Sequence, residues 1–239
     1  MKEIIGRKVG MTQVFAKDGT SYPVTVVEVL PNVVTQVKTL EKDGYKALQV
    51  GVEDAKLSRL NKCEKGIFEK ANVTPKQHLF EIKGDELESY QVGNEVKVDI
   101  FKVGDIVDVT GTSKGRGYTG AIARYGFTIG PKGHGSGYHR GVGSFANNGR
   151  DNNRVLPGKK MSGHHGNKSA TIQNLLVVDV NVEKNYILIK GGLPGPKKSF
   201  VTIKSAYRTQ FGTKQVVKEL VNNTPKKEEE ATPSAEVSA

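Results

Sequence analysis

One stretch of this 239-residue chain lacks the means to fold by itself. Residues 113–170 hold 14 of the 28 glycines and ten lysines and arginines against one aspartate. Only seven Val, Ile, Leu or Phe occur in those 58 residues, about 12%, below the level at which a segment buries a core of its own. A structureless connection of this length inside a compact protein is uncommon and is either functional or disordered. The window also holds nearly all of the charge imbalance. The formal net charge is −1 for residues 1–112, +9 for 113–170 and +3 for 171–239. A total of +11 with a pI near 9.5 favours a polyanionic partner, and the distribution says where that partner is met.

On both sides of the window the sequence reads as strands. Val24–Leu30, Val33–Val37 and Leu48–Val52 are β-branched runs broken by Pro31-Asn32 and by a turn at Asp43-Gly44. Val96–Phe101 and Ile106–Val109 alternate apolar and polar residues around Gly104-Asp105, as an antiparallel pair would. Leu175–Val180, Tyr186–Ile189 and Phe200–Ile203 resume the pattern. Many short strands without long intervening helices predict a mainly β fold, an antiparallel barrel or sandwich from which a long basic loop projects and becomes ordered against something else.

Between Asp54 and Gln91 the pattern lapses into a Lys/Glu-rich stretch, with Thr74-Pro75 and Asp85-Glu86-Leu87 as helix-start or turn signals. We read an inserted, partly helical lobe with a solvated face. The tail from Asn222 to Ala239 is small, polar and charged, and reads as disordered. Cys63 is the only cysteine, which fits a reducing compartment and supplies neither a disulfide nor a thiolate metal site. The longest apolar run falls far short of the roughly 20 residues that cross a bilayer, and the first residues begin no signal peptide. The reading is a soluble, untargeted protein with no membrane contact.

Two enzyme signatures occur where the loop begins. Gly111-Thr112-Ser113-Lys114-Gly115 matches G-x-S-x-G, with Asp151 and His164 following in the chain order of an α/β-hydrolase triad. That elbow needs a parallel sheet with helical crossovers, whereas these flanks read as antiparallel. Gly115-Arg116-Gly117-Tyr118-Thr119-Gly120 matches G-x-G-x-x-G. It lacks the acidic residue about 20 positions on that would hold a ribose. Gly158-Lys159-Lys160-Met161 lacks the spacing and the Ser or Thr of a Walker sequence. Catalytic residues, nucleotide cofactors and small-molecule substrates are therefore not expected.

The glycine run still suits another anion, because glycines let backbone N–H groups approach phosphate closely. Gly115 and Gly117 stand beside Lys114, Arg116 and Arg124. Lys132, Arg140, Arg150, Arg154, Lys159, Lys160 and Lys168 recur every few residues with almost no acid to compete. Tyr118, Tyr125, Phe127, Tyr138 and Phe145 are interleaved and offer faces for stacking on unpaired bases; packing of the loop on its own barrel is the competing role for Tyr125 and Phe127. His134, His139, His164 and His165 fall in the same window. Without cysteine and with one local carboxylate they suit hydrogen bonding or stacking with nucleic acid better than a metal.

Phe101, Asp108, Gly111, Ser113, Gly115-Arg116-Gly117, Gly120 and Arg124, taken with their spacing, resemble the signature stretch of the ribosomal large-subunit protein L-three family. Gly6–Phe15, Gly158–Asn167 and Val177–Gly192 are similar to the same family, and the likeness covers about residues 1–206, in the compact bacterial form. It implies a translation-type β-barrel over 1–53, 95–112 and 171–206, an inserted lobe over 54–94, an RNA-penetrating loop over 113–170 and a C-terminal extension over 207–221. It implies 23S rRNA and neighbouring ribosomal proteins as partners, early assembly of the large subunit, support for the region near the peptidyl-transferase centre, a cytoplasmic, ribosome-bound location and no enzymatic role. The loop tip falls around Gly143-Ser144-Phe145-Ala146-Asn147-Asn148-Gly149. Asparagines stand where some bacterial relatives bear a methylated glutamine, and Tyr125 stands where many have tryptophan.

Two other classes remain to be separated by experiment: a hydrolase or nucleotide-dependent enzyme working through Ser113 or the glycine run, and a free regulatory protein that binds DNA or RNA outside a ribosome.

Overall fold

The computed structural model describes residues 2–84, 89–145, 154–207 and 217–221. Six strands close into an antiparallel barrel in the order β1-β12-β7-β10-β11-β2. They are β1 (Glu3–Phe15), β2 (Ser21–Glu28), β7 (Ile106–Thr112), β10 (Ser169–Asn181), β11 (Tyr186–Lys190) and β12 (Phe200–Ser205). Closure pairs every strand on both sides and leaves no edge open to another chain. Ile4, Val27, Val109, Val177, Ile187 and Ile203 point inward from all six strands and are 0% exposed. The mainly β, barrel-forming expectation thus holds.

A second sheet, in the order β5-β4-β3-β6, stands beside the barrel. It contains β3 (Asn32–Lys38), β4 (Ala47–Asp54), β5 (Lys76–Ile82) and β6 (Glu95–Val96). Residues 1–53 are therefore not all barrel: β3 and β4 belong to this sheet, and β5, from the expected lobe, is its outer strand beside β4. Its inner face, with Val34, Val50, Val52 and Ile82, shares one continuous apolar core with Ile4 and Val27 of the barrel. Arg7 is the polar rivet of that junction, 2.6 Å from Glu53 and 5.5 Å above the Phe200 ring.

The helices are short. α1 (Leu40–Asp43) ends at Gly44, whose φ of 78° reverses the chain into β4. α2 (Lys62–Ala71) starts at a capping box, in which the Asn61 N–H donates to Glu64 at 2.9 Å, and it buries Phe68. Asn72 ends it in a left-handed conformation, so Thr74-Pro75 follows a helix rather than starting one. The candidate at Asp85-Glu86-Leu87 lies outside the described residues.

Two strand expectations are corrected. Val96–Phe101 is not a strand paired with Ile106–Val109: β6 stops at Val96, pairs with β3, and is followed by a 3-10 turn over Val98–Ile100. β7 instead pairs with β10 and β12. β1, with β10 the longest element among the described residues, has no counterpart in the strand runs read from the sequence. A bulge between Lys8 and Gly10 breaks its register against β2, and this hides the period of two on which strand reading depends.

Candidate nucleic-acid interface

The basic window starts and ends on neighbouring barrel strands, with Ser169 of β10 opposite Thr112 of β7. Beyond that rung the two arms of the window stay together. The Ser113 N–H donates to the Lys168 carbonyl at 2.9 Å, the Asn167 N–H to the Ser113 carbonyl at 3.2 Å and the Arg116 N–H to the His165 carbonyl at 2.9 Å. β8 (Gly117–Thr119) then pairs antiparallel with β9 (Gly163–His165), setting Tyr118 opposite His164. The Tyr118 hydroxyl lies 2.9 Å from the Ser162 hydroxyl. The root of the window is therefore a hydrogen-bonded ribbon that continues the barrel outward, not a shapeless loop. Its ladder needs only backbone groups, which glycine-rich chain still has, and that is why a count of apolar residues missed it.

α3 (Ala121–Tyr125) caps this ribbon and ends at Gly126, with φ 72°. Arg124 is committed inward: its Nη1 donates to the Met161 carbonyl at 2.9 Å, and the guanidinium lies 5.0 Å from the Tyr125 ring. Lys160 approaches the same ring at 5.6 Å, and Phe127 lies 6.1 Å away. Tyr125 and Phe127 thus pack within the arm, whereas Tyr118, 80% exposed, keeps a free face.

Farther out, residues 130–141 fold around Tyr138. The Gly130 N–H donates to the His139 carbonyl at 3.0 Å, and His139 Nδ1 lies 3.1 Å from the Pro131 carbonyl. His134 turns the chain at φ 56°. Lys132, His134, His139, Arg140, Ser144, Phe145, Arg154, Lys159 and Lys160 are exposed along this outer part, and Lys114, Gly115, Arg116, Gly117, His164 and Lys168 along the ribbon. Arg150, Asp151 and the tip residues Ala146, Asn147, Asn148 and Gly149 lie outside the described residues. Among the described residues no salt bridge involves a lysine or arginine of the window. The ion pairs sit instead on the barrel and the second sheet, as in Lys204–Glu3 at 3.0 Å and Lys76–Asp54 at 2.7 Å.

Ser113 does not sit on a strained strand-to-helix elbow. It extends an antiparallel ladder, and its hydroxyl donates to the Lys168 carbonyl at 3.0 Å. Among the described residues no three His, Cys, Asp or Glu gather as a metal would require, and no helix is long and apolar enough to cross a membrane. Cys63 is exposed. One cation of the site escaped the sequence reading: Lys8, on β1, lies at the foot of the ribbon. Burial and, secondarily, the charge of Lys114 hold its pKa below the ordinary lysine value. No local pattern distinguishes it from any other strand lysine.

A family model described as Ribosomal protein L3 matches residues 76–184. The chain is 55% identical over 207 residues to the large ribosomal subunit protein uL3 of Oceanobacillus iheyensis, which covers 87% of this chain and 98% of the relative. It is 55% identical over 207 residues to that of Levilactobacillus brevis (87% and 94%) and 53% identical over 208 residues to that of Spiroplasma kunkelii (87% and 79%).

Proposed function

This chain belongs to the uL3 family and is a structural constituent of the large ribosomal subunit, bound there in the cytoplasm, and on that premise we propose that the ribbon and the basic segment beyond it bind 23S rRNA. The carrying observation is a 58-residue window with nine net positive charges whose described cations make no salt bridge to the protein's own carboxylates. Such cations release counterions when they meet phosphate, which drives binding. The ribbon sets their spacing, so recognition rests on RNA shape and backbone contacts rather than on base edges. Exposed Tyr118, Tyr138 and Phe145 supply stacking surfaces. In this reading the protein screens phosphate repulsion early in subunit assembly, supports the RNA near the peptidyl-transferase centre and abuts neighbouring ribosomal proteins. It performs no catalytic step and needs no cofactor or small-molecule substrate.

If all nine net charges met phosphate, log affinity would fall with log salt at a slope of roughly −8. Lys159→Gln with Lys160→Gln is expected to weaken binding to 23S rRNA and flatten that slope by about 2, measured by filter binding from low to moderate salt. An unchanged slope removes these two residues from the interface. Ser113→Ala is expected to co-sediment with large subunits as the parent does, which a serine hydrolase reading does not require. A protein found only in the free pool after sedimentation in high salt would instead favour a regulator outside the ribosome.

A further inference from the structure

Where the ribbon leaves the barrel, an open cavity of about 550 Å³ lies between the two arms and the turn at Leu193–Gly195. Lys8 forms its floor. The residue is 8% exposed, and its ammonium donates to the Leu193 carbonyl at 2.7 Å and the Gly195 carbonyl at 3.1 Å. Both partners are neutral, so they orient the ammonium without cancelling its charge. Lys114, Arg116 and Lys168 are the other cations of the lining, and no carboxylate is part of it. His165, also in the lining, has a buried Nδ1 with no hydrogen-bond partner.

A neutral donor would satisfy the two carbonyls without meeting repulsion from three further cations. A buried charge without a counter-charge is costly. One monoanion with several acceptor oxygens relieves this, because it answers the charges of Lys8, Lys114, Arg116 and Lys168 together. Gly166 fixes the width of the opening. A Cβ there would stand 2.0 Å from the Lys114 carbonyl oxygen, so the two arms meet more closely than any side chain permits.

We propose that this cavity seats one phosphodiester of the RNA backbone, at the point where the RNA passes from the barrel surface onto the ribbon, with Lys8 as its floor charge, Lys114, Arg116 and Lys168 around it, and the His165 ring in its lining. The inference rests on the RNA-binding reading above and adds a defined seat to it.

The test uses the full chain, labelled with 15N and 13C, and two probes. Titration with inorganic phosphate is expected to shift the His165 imidazole and the Lys8 side chain together, with Lys8→Met weakening the effect at least tenfold. Lys168→Gln, at an exposed position that leaves the Lys8 contacts in place, guards against a folding defect and is expected to weaken it severalfold. In 23S rRNA binding, each variant is expected to reduce the log–log salt slope by about 1, and bound RNA is expected to abolish the phosphate-induced shift. Phosphate shifts with unaltered RNA slopes in both variants would mean an adventitious ion only and would overturn the seat. So would an unmoved His165 together with unaltered slopes, even while the parent protein binds rRNA tightly. A parent protein that does not bind rRNA at all overturns the functional reading itself, and the seat with it.

Discussion

Gly166 shows how much a single residue decides at the foot of the ribbon. Its φ is +75°, and its α-carbon faces the backbone of the opposite arm rather than a side chain that could swing away. Gly166→Ala adds left-handed strain of about 1–2 kcal/mol to a backbone clash, so the arms must part. The expected outcome is local: amide exchange at Arg116 and Asn167 accelerates more than tenfold while the barrel amides keep their protection. Equal acceleration across the barrel would show that the ribbon is no separate unit. At this scale the sequence marks the cations of the window by their number and the near absence of acid beside them, and among the described residues none of them is spent on a salt bridge. It was silent on Lys8, and it did not show Arg124 spending a donor on Met161. A side chain's direction depends on what the chain packs against, which residue type does not encode.

At the scale of elements, the segment 217–221 returns to the barrel and clasps the β1–β2 turn. Leu220 bridges Ala16, the Lys17 N–H donates to the Glu219 carbonyl at 2.9 Å, and the Val221 N–H donates to the Phe15 carbonyl at 2.9 Å. Val217 and Leu220 pack on a small cluster of Tyr22, Val24, Val178 and Leu188. Lys218 hydrogen-bonds Asp18; this contact first, and Thr20 second, pull the Asp18 carboxyl from 3.8 down to about 2. A folded pKa below the unfolded one means that this contribution is fully present above about pH 4 and is lost as pH falls toward 2. The protection factor of the Val221 amide, taken relative to intrinsic exchange at each pH, is therefore expected to fall across that range in the parent protein and to be low and flat in Asp18→Asn. A parent profile as flat as the variant's would remove the ion pair from the clasp. Strands were legible where β-branched and apolar residues ran together, as in β2, β10 and β11. The misread stretch at Val96–Phe101 is instructive: Val96 and Val98 are both 0% exposed and Phe101 is 2% exposed. Alternation reported burial correctly, but burial alone does not say whether the backbone pairs or turns.

For the whole molecule, the closed barrel and the projecting ribbon are expected to be separable in energy. Thr112 and Ser169 already face each other across an antiparallel pair, so replacing residues 113–168 with Asn-Gly closes an ordinary hairpin. The expected product keeps cooperative thermal unfolding and the far-ultraviolet signature of the barrel, yet loses binding to 23S rRNA by several orders of magnitude. Loss of folding would show that the ribbon is part of the core after all. Composition and local pattern alone were enough to establish a β protein with one cationic, core-poor insertion, since charge, glycine content and β-branched alternation are properties of the chain that survive without any partner. Which strands close on which, that β3 and β4 leave the barrel for a second sheet, that the insertion ladders upon itself, and that a strand lysine becomes the floor of a cationic cavity were settled in three dimensions. Each depends on contacts between residues far apart in the chain, whose free energy exists only once the other elements are in place.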